Sequence, residues 1–336
     1  MATTTSVNPF RPTGAGFTNP NFPPPTGAHD AHIIIYGSAH LPDRGLRSLN
    51  TPANGRTRYT PSIVLASLAI ALFTICSVLH MIQMLRFKTW SFGPLTFACI
   101  LEVLGYVFRT LSSQQDPYSI IWFVLQYFLI VVAPVFISAS IYVCITQLIR
   151  RASACGYDTT LRPWLNPKWI LWGFITVDAV TTVLQIAGAA MIGSFESKGK
   201  DPAKGNHILL AGLAIQSFAL TIFVVLVVVL RTSIGRDEAT KALVKQRNAF
   251  IVALFAASFL IYFRTVFRLA ETAQGVFGNA STHEVFFGTF EFAPVVVAVG
   301  TLAFWHPGRW FSPTDSMSKE KGSQQLDSSL VEAQAG

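Results

Sequence analysis

Seven stretches of this chain are long and apolar enough to cross a bilayer: roughly 62–85, 91–111, 118–148, 168–193, 207–230, 249–269 and 284–305. A spanning helix needs about 20 predominantly apolar residues. Seven of them commit the chain to an all-α membrane protein, a seven-transmembrane helix bundle. The third stretch exceeds a simple span, so it is expected to tilt or to project into the cytosol. Only 12% of the residues are charged and 51% are hydrophobic, whereas soluble domains carry about 25% charged residues. That excludes a soluble globular protein.

The remaining segments read as tails. Residues 1–60, rich in Pro, Thr, Gly and Asn, are expected to form a largely disordered extracellular tail without a signal peptide. Within it, Ile33 to Tyr36 is expected to form a short strand or to pack on the bundle. The transmembrane domain occupies 61–308, with Pro61 suited to a first helical turn. Residues 309–336 lack apolar periodicity and read as a cytosolic tail.

Basic residues set the expected orientation. Arg86 and Lys88 follow the first span, Arg150, Arg151, Arg162 and Lys168 the third, and Arg231, Arg236, Lys241, Lys245 and Arg247 the fifth. The opposite loops hold only Lys198, Lys200 and Lys204. The positive-inside rule puts the C-terminus in the cytosol and the N-terminus outside. Basic loops beside anionic lipid account for the net charge of +8. No basic domain outside the membrane is present to bind nucleic acid. Asn279-Ala-Ser281 is a glycosylation sequon on the side expected to face outward. Of the four cysteines, Cys76, Cys99 and Cys144 lie in apolar segments and Cys155 in a loop expected to be cytosolic. They read as small buried hydrophobes, with Cys155 also a juxtamembrane palmitoylation candidate.

Function is read from the charges that interrupt these spans. A charge near mid-bilayer costs roughly 2.5–3.5 kcal/mol on insertion scales, so it faces the bundle interior and pairs or binds something. Residues seven apart share a helix face. Glu102 and Arg109 use that spacing in the second span, with Tyr106 between them, as do Asp178 and Gln185 in the fourth. Arg264 and Glu271 repeat it in the sixth, with Arg268 between, and Glu284 and Glu291 in the seventh. Gln126 and Gln216 add polar groups in the third and fifth. In the expected orientation most of these groups occupy the middle and outer half of the bundle, which predicts a cavity open to the outer leaflet or the outside. Arginine takes carboxylate or phosphate bidentately. The carboxylates suit an amine headgroup or a proton relay, and the same residues serve equally as a structural network. Pro134 and Pro294 each free a carbonyl and can kink the helix, which would serve gating or plain packing equally.

Taken in order, these motifs resemble the fungal lipid-translocating exporter family, the resistance-to-aminocholesterol-like proteins. The resemblance rests on Glu102-x-x-Gly105-Tyr106-x-x-Arg109, Gln126 with Ala133-Pro134 and Ala139-Ser-Ile-Tyr142, and Asp178…Gln185-x-x-Gly188. It extends through Gly205…Gly212-Leu213…Gln216, Arg264-x-x-x-Arg268-x-x-Glu271-x-x-x-Gly275 and His306-Pro307-Gly308. Phe287-Gly288, Glu291 and Thr146-Gln147 depart from the family's commoner residues. The resemblance implies a seven-helix protein of fungal membranes, favouring the plasma membrane. Its members are linked to export or flipping of sphingoid long-chain bases and to tolerance of toxic amphiphiles. Some accompany secondary-metabolite clusters as resistance or efflux proteins.

Three functions compete. The first is a translocator whose partners are membrane lipids or amphiphilic small molecules, with no cofactor. The chain carries no Gly-x-x-x-x-Gly-Lys-Ser/Thr loop, so uphill export would draw on a proton gradient or a partner. The second is a receptor-like sensor of lipid stress, although no Asp-Arg-Tyr ends the third span and no Asn-Pro-x-x-Tyr lies in the seventh. The third, a zinc hydrolase, is disfavoured because His80 and His306 fall at one end and His207 and His283 at the other.

Overall fold

A computed structural model describes residues 62–114, 120–154, 166–197, 203–236, 238–274, 284–306 and 308. Seven helices long and apolar enough to span are present. They are α1 (Ile63–Phe87), α2 (Gly93–Gln114), α3 (Ile120–Ala154), α4 (Pro167–Ser197), α5 (Ala203–Arg236), α6 (Glu238–Ala273) and α7 (Glu284–Phe304). No strand occurs among the described residues. Pro61, Ile33 to Tyr36, Cys155, Asn279 and the tail 309–336 lie outside the described residues.

Three helices outrun the apolar stretches that announce them. α3 has 35 residues, α5 34 and α6 36, each about 50 Å long at 1.5 Å per residue against a hydrocarbon core of about 30 Å. The expected spans 207–230 and 249–269 are therefore too short for α5 and α6. The extra turns run through segments such as Glu238-Ala-Thr-Lys-Ala-Leu-Val-Lys245, which favour helix without being apolar. A hydropathy criterion ends where the lipid ends, not where the helix ends.

The helices form a closed ring in chain order, with α7 returning to α1 and α3 crossing the middle to meet α6. Within the most apolar window of each helix, α3 is 67% buried and α1 only 22%. α3 is thus the axle, and α1 a rim helix turned largely to lipid. α4 and α5 pack backbone to backbone at Gly188 and Gly205: a Cβ on Gly188 would stand 2.6 Å from the Leu209 backbone nitrogen. Only glycine allows two backbones this close.

α1 ends with Lys88 in the left-handed region (φ 53°), its N–H returned to Met84 O. A short 3₁₀ turn, Trp90–Phe92, then leads into α2. His306 closes the same end of the bundle. Its ring stacks on Phe87 at 5.9 Å, and its Nδ1 accepts the Gly308 N–H at 3.0 Å.

α7 is not a uniform α-helix. Residues Phe287–Phe292 are wound as a π-helix, and the Ala293 N–H reaches back five residues to Gly288 O. Pro294 follows at once. Because proline gives no N–H and its ring crowds the carbonyl four residues back, the wider winding before it relieves that clash. π-turns of this kind gather at functional sites, and this one carries Glu291.

Candidate functional site

The charged residues of α6 and α7 meet deep in the bundle. Glu291 is buried to 2% exposure and divides its carboxylate between two guanidinium groups. Oε1 accepts from Arg264 Nη2 at 3.0 Å, and Oε2 from Arg268 Nη1 at 3.0 Å. Arg268 Nη1 also donates to Glu271 Oε2 at 3.1 Å. Arg264 and Arg268 lie one helical turn apart, so both point toward the α3–α7 seam. The π-turn brings the backbone of α7 round so that a single glutamate faces both.

A proline places the next contact. Pro134 in α3 has no N–H to offer the carbonyl four residues earlier, that of Ile130. Arg264 Nη2 fills the vacancy, donating to Ile130 O at 3.1 Å. The carbonyl that Pro134 frees thus serves as an acceptor for the ion network. Aromatic faces complete the surround. Arg268 lies over the Tyr127 ring at 4.7 Å, and Arg109 over the Phe287 ring at 3.9 Å. Both distances are within the cation–π range.

α2 contributes Glu102 and Tyr106 to the same depth. Tyr106 is sealed between Phe73, at 5.9 Å, and Phe292, at 5.8 Å. Glu102 is buried, and its Oε1 has no hydrogen-bond partner. Gln126 on α3 is buried as well. The expected cavity is not what these side chains line here. Glu102, Arg109, Arg264, Arg268 and Glu291 are each no more than 9% exposed and pack on one another and on aromatic rings. The structure holds this region closed.

Two of the expected site residues stand elsewhere. Glu284, at the start of α7, accepts the Ser62 N–H at 2.6 Å. It thereby caps the N-terminus of α1, where a carboxylate satisfies an orphan donor and complements the helix dipole. Asp178 on α4 belongs to a second polar site. Its Oδ2 accepts from Tyr142 Oη on α3 at 2.7 Å, and its Oδ1 has no hydrogen-bond partner. Two turns further along α4, Gln185 Nε2 donates to Gln216 Oε1 at 2.7 Å, tying α4 to α5.

Sequence reasoning did not select Tyr127, Tyr142 or Phe287 as site residues. Tyr142 was legible in principle, being a polar aromatic at the depth where Asp178 needs a donor. Phe287 and Tyr127 carry no charge to draw notice and act through their ring faces. Among the described residues no group of three or more His, Cys, Asp or Glu could hold a metal ion.

The family model described as "RTA1 like protein" matches residues 95–314, which span the second to seventh helices. A protein of Saccharomyces cerevisiae named "Sphingoid long-chain base transporter RSB1" is 28% identical over 301 residues, covering 78% of this chain and 77% of its own. "Probable lipid transporter atnI" of Emericella nidulans is 24% identical, covering 77% of this chain and 69% of its own. "Protein RTM1" of Saccharomyces cerevisiae is 27% identical over 62% of this chain and 64% of its own. No solved structure matches the chain.

Proposed function

The chain belongs to the RTA1 like protein family, and from that premise we propose that it is a membrane translocator of amphipathic lipids, such as sphingoid long-chain bases, or of toxic amphiphiles. It is a multi-pass membrane protein. The names of its relatives, a sphingoid long-chain base transporter and a lipid transporter, support this reading. In the proposal the protein is no enzyme, confers resistance by removing amphiphiles, and acts at the plasma membrane with its N-terminus outside and its basic loops in the cytosol.

The single observation that carries the reading is the sharing of Glu291 between Arg264 and Arg268 at the junction of α3, α6 and α7. A purely structural bundle gains little from such a group, since apolar replacements of a buried ion pair are often neutral or stabilising. Its use lies in exchange. Each arginine holds more than one acceptor (Glu291, Glu271 or Ile130 O) and can trade it for a headgroup phosphate or carboxylate. α7 also has, in its π-turn, a segment able to turn Glu291 while the pairs re-form. Arg109, Gln126, Gln185 and Gln216 complete the polar lining in this reading.

The test is reconstitution of the purified chain in liposomes. Movement of a fluorescent sphingoid base between leaflets is followed with and without a pH gradient, beside Glu102→Gln and Arg268→Ala. Protein-dependent movement that fails in the variants is the expected result. Response to the gradient identifies the energy source. A folded wild-type protein that moves nothing overturns the reading and favours a sensor with cytosolic partners.

A further inference from the structure

The acids of this bundle are not equivalent. Glu291 is held by two guanidinium groups, and Glu271 by one. Glu102 lies close enough to Arg264 to feel its charge. An ammonium arriving at any of these would compete with, or be repelled by, an arginine already there. Asp178 differs. It is 1% exposed, its side-chain hydrogen bond comes from a tyrosine hydroxyl, and among the described residues it makes no ion pair. One carboxylate oxygen is left with nothing to accept.

Three aromatic rings pack together around the tyrosine that donates to this carboxylate. Tyr142 lies 4.5 Å from Phe223 and 5.4 Å from Phe174, and Phe174 lies 5.2 Å from Phe223, centroid to centroid. Together they join α3, α4 and α5. A carboxylate next to aromatic faces is the chemistry that recognises an organic ammonium: the acid supplies charge and acceptors, the ring quadrupoles add attraction. A metal cation would instead require several oxygen ligands.

Position separates this site from the arginines. The network touches α3 at Ile130, whereas Tyr142 lies twelve residues further along, roughly 18 Å. The neutral Gln185–Gln216 pair stands two turns further along the same face of α4. The opposite face of α4 is turned to lipid, with Trp172 and Val180 more than half exposed. A chain lying in the bilayer therefore has its headgroup one helix away from Asp178.

We propose that Asp178, with Tyr142, Phe174 and Phe223, is the binding site for the protonated primary amine of a long-chain amphiphile, distinct from the arginine network. This rests on the translocation reading above and assigns the amine within it. The rings touch one another in this closed state, so entry parts Phe174, which is half-buried, from Phe223. The Asp178 Oδ1 atom accepts an ammonium N–H, and the Tyr142 hydroxyl keeps the carboxylate aimed.

The experiment measures equilibrium binding of radiolabelled sphinganine and of its uncharged N-acetyl derivative to the full chain in nanodiscs. Asp178→Asn keeps an oxygen for the Tyr142 hydroxyl and removes the charge. It is expected to weaken sphinganine binding roughly tenfold to hundredfold, the size of one charge-assisted hydrogen bond, and to leave the N-acetyl probe unchanged. Phe174→Leu retains the carboxylate and should weaken the amine severalfold without affecting the neutral probe; it keeps the proposal open to test if Asp178→Asn does not fold. Unchanged preference for the amine in either folded variant, or equal loss of both probes, overturns the proposal. Wild-type liposomes that move no lipid would instead sink the translocation reading, whatever the binding shows.

Discussion

Replacing Glu291 by glutamine should unsettle the bundle more than its small change of shape suggests. The wild-type carboxylate accepts one hydrogen bond from each of two buried arginines, both at 3.0 Å. Glutamine keeps one oxygen and turns an amide NH₂ toward the other guanidinium, so one arginine meets a donor. Two magnitudes compete as estimates. Neutral interhelical hydrogen bonds in membranes average about 0.6 kcal/mol. Removing one member of a buried ion pair costs about 3–5 kcal/mol, because the remaining charge is left uncompensated. The second applies here, since both guanidiniums stay charged and Arg264 is only 5% exposed. Glu271 rescues Arg268 in part, and leaves Arg264 with the Ile130 carbonyl as its hydrogen-bond acceptor and only the unpaired Glu102 nearby. Glu291→Gln is therefore expected to lose about 3 kcal/mol or more in reversible unfolding by SDS titration in mixed micelles. Arg264→Met combined with Glu291→Leu should recover part of that loss, because no orphan charge remains at Arg264. A loss under about 1 kcal/mol, the scale of a neutral bond, or strict additivity in the double variant, would refute the view that Glu291 neutralises both arginines.

Other outcomes follow from single contacts. Gly188→Ala puts a Cβ 2.6 Å from Leu209 N where ordinary contact begins at 3.4 Å, so α4 and α5 must part by 3.4 − 2.6 = 0.8 Å at that crossing; overpacking of this kind costs about 1–3 kcal/mol, read as a lowered unfolding temperature. Glu284→Gln weakens the cap on α1, worth about 1 kcal/mol, and should speed hydrogen exchange in its first turn while leaving that of α3 alone. For orientation, Lys88→Cys in a Cys155→Ser background is expected to react with a membrane-impermeant maleimide in inside-out vesicles but not in intact cells; Cys76, Cys99 and Cys144 are buried and contribute little background.

The seven helices were legible because a bilayer imposes length and hydropathy together, and the inward faces because polar residues recur at seven. That spacing picked out Glu102 with Arg109 and Asp178 with Gln185, and all four are buried. Spacing gives a face but not a partner. It grouped Glu284 with Glu291, yet one caps α1 and the other bridges two arginines, since seven residues of helix separate them by about 10 Å along the axis. Backbone acceptors were half visible: Pro134 announces a freed carbonyl, but only folding shows that Arg264 takes it. Ring faces left no trace in a charge pattern, so Tyr127 and Phe287 went unseen. The expected open cavity presumed that polar means solvated, whereas here the arginines and acids of α6 and α7 pair with one another.

The π-turn of α7 also has a meaning for descent. It amounts to one residue more than an α-helix would use between Phe287 and Pro294. Each residue of α-helix advances the chain by about 100°, so losing one there would swing one half of α7 relative to the other by about that angle. Glu291 and Pro294 could not both keep their present facings. A relative with a one-residue gap at this place would therefore be expected to lack an acid bridging the arginines, or to have moved it to a neighbouring position. The length of this short segment should accordingly be held more strictly across the lineage than that of any loop, even where its aromatic residues drift.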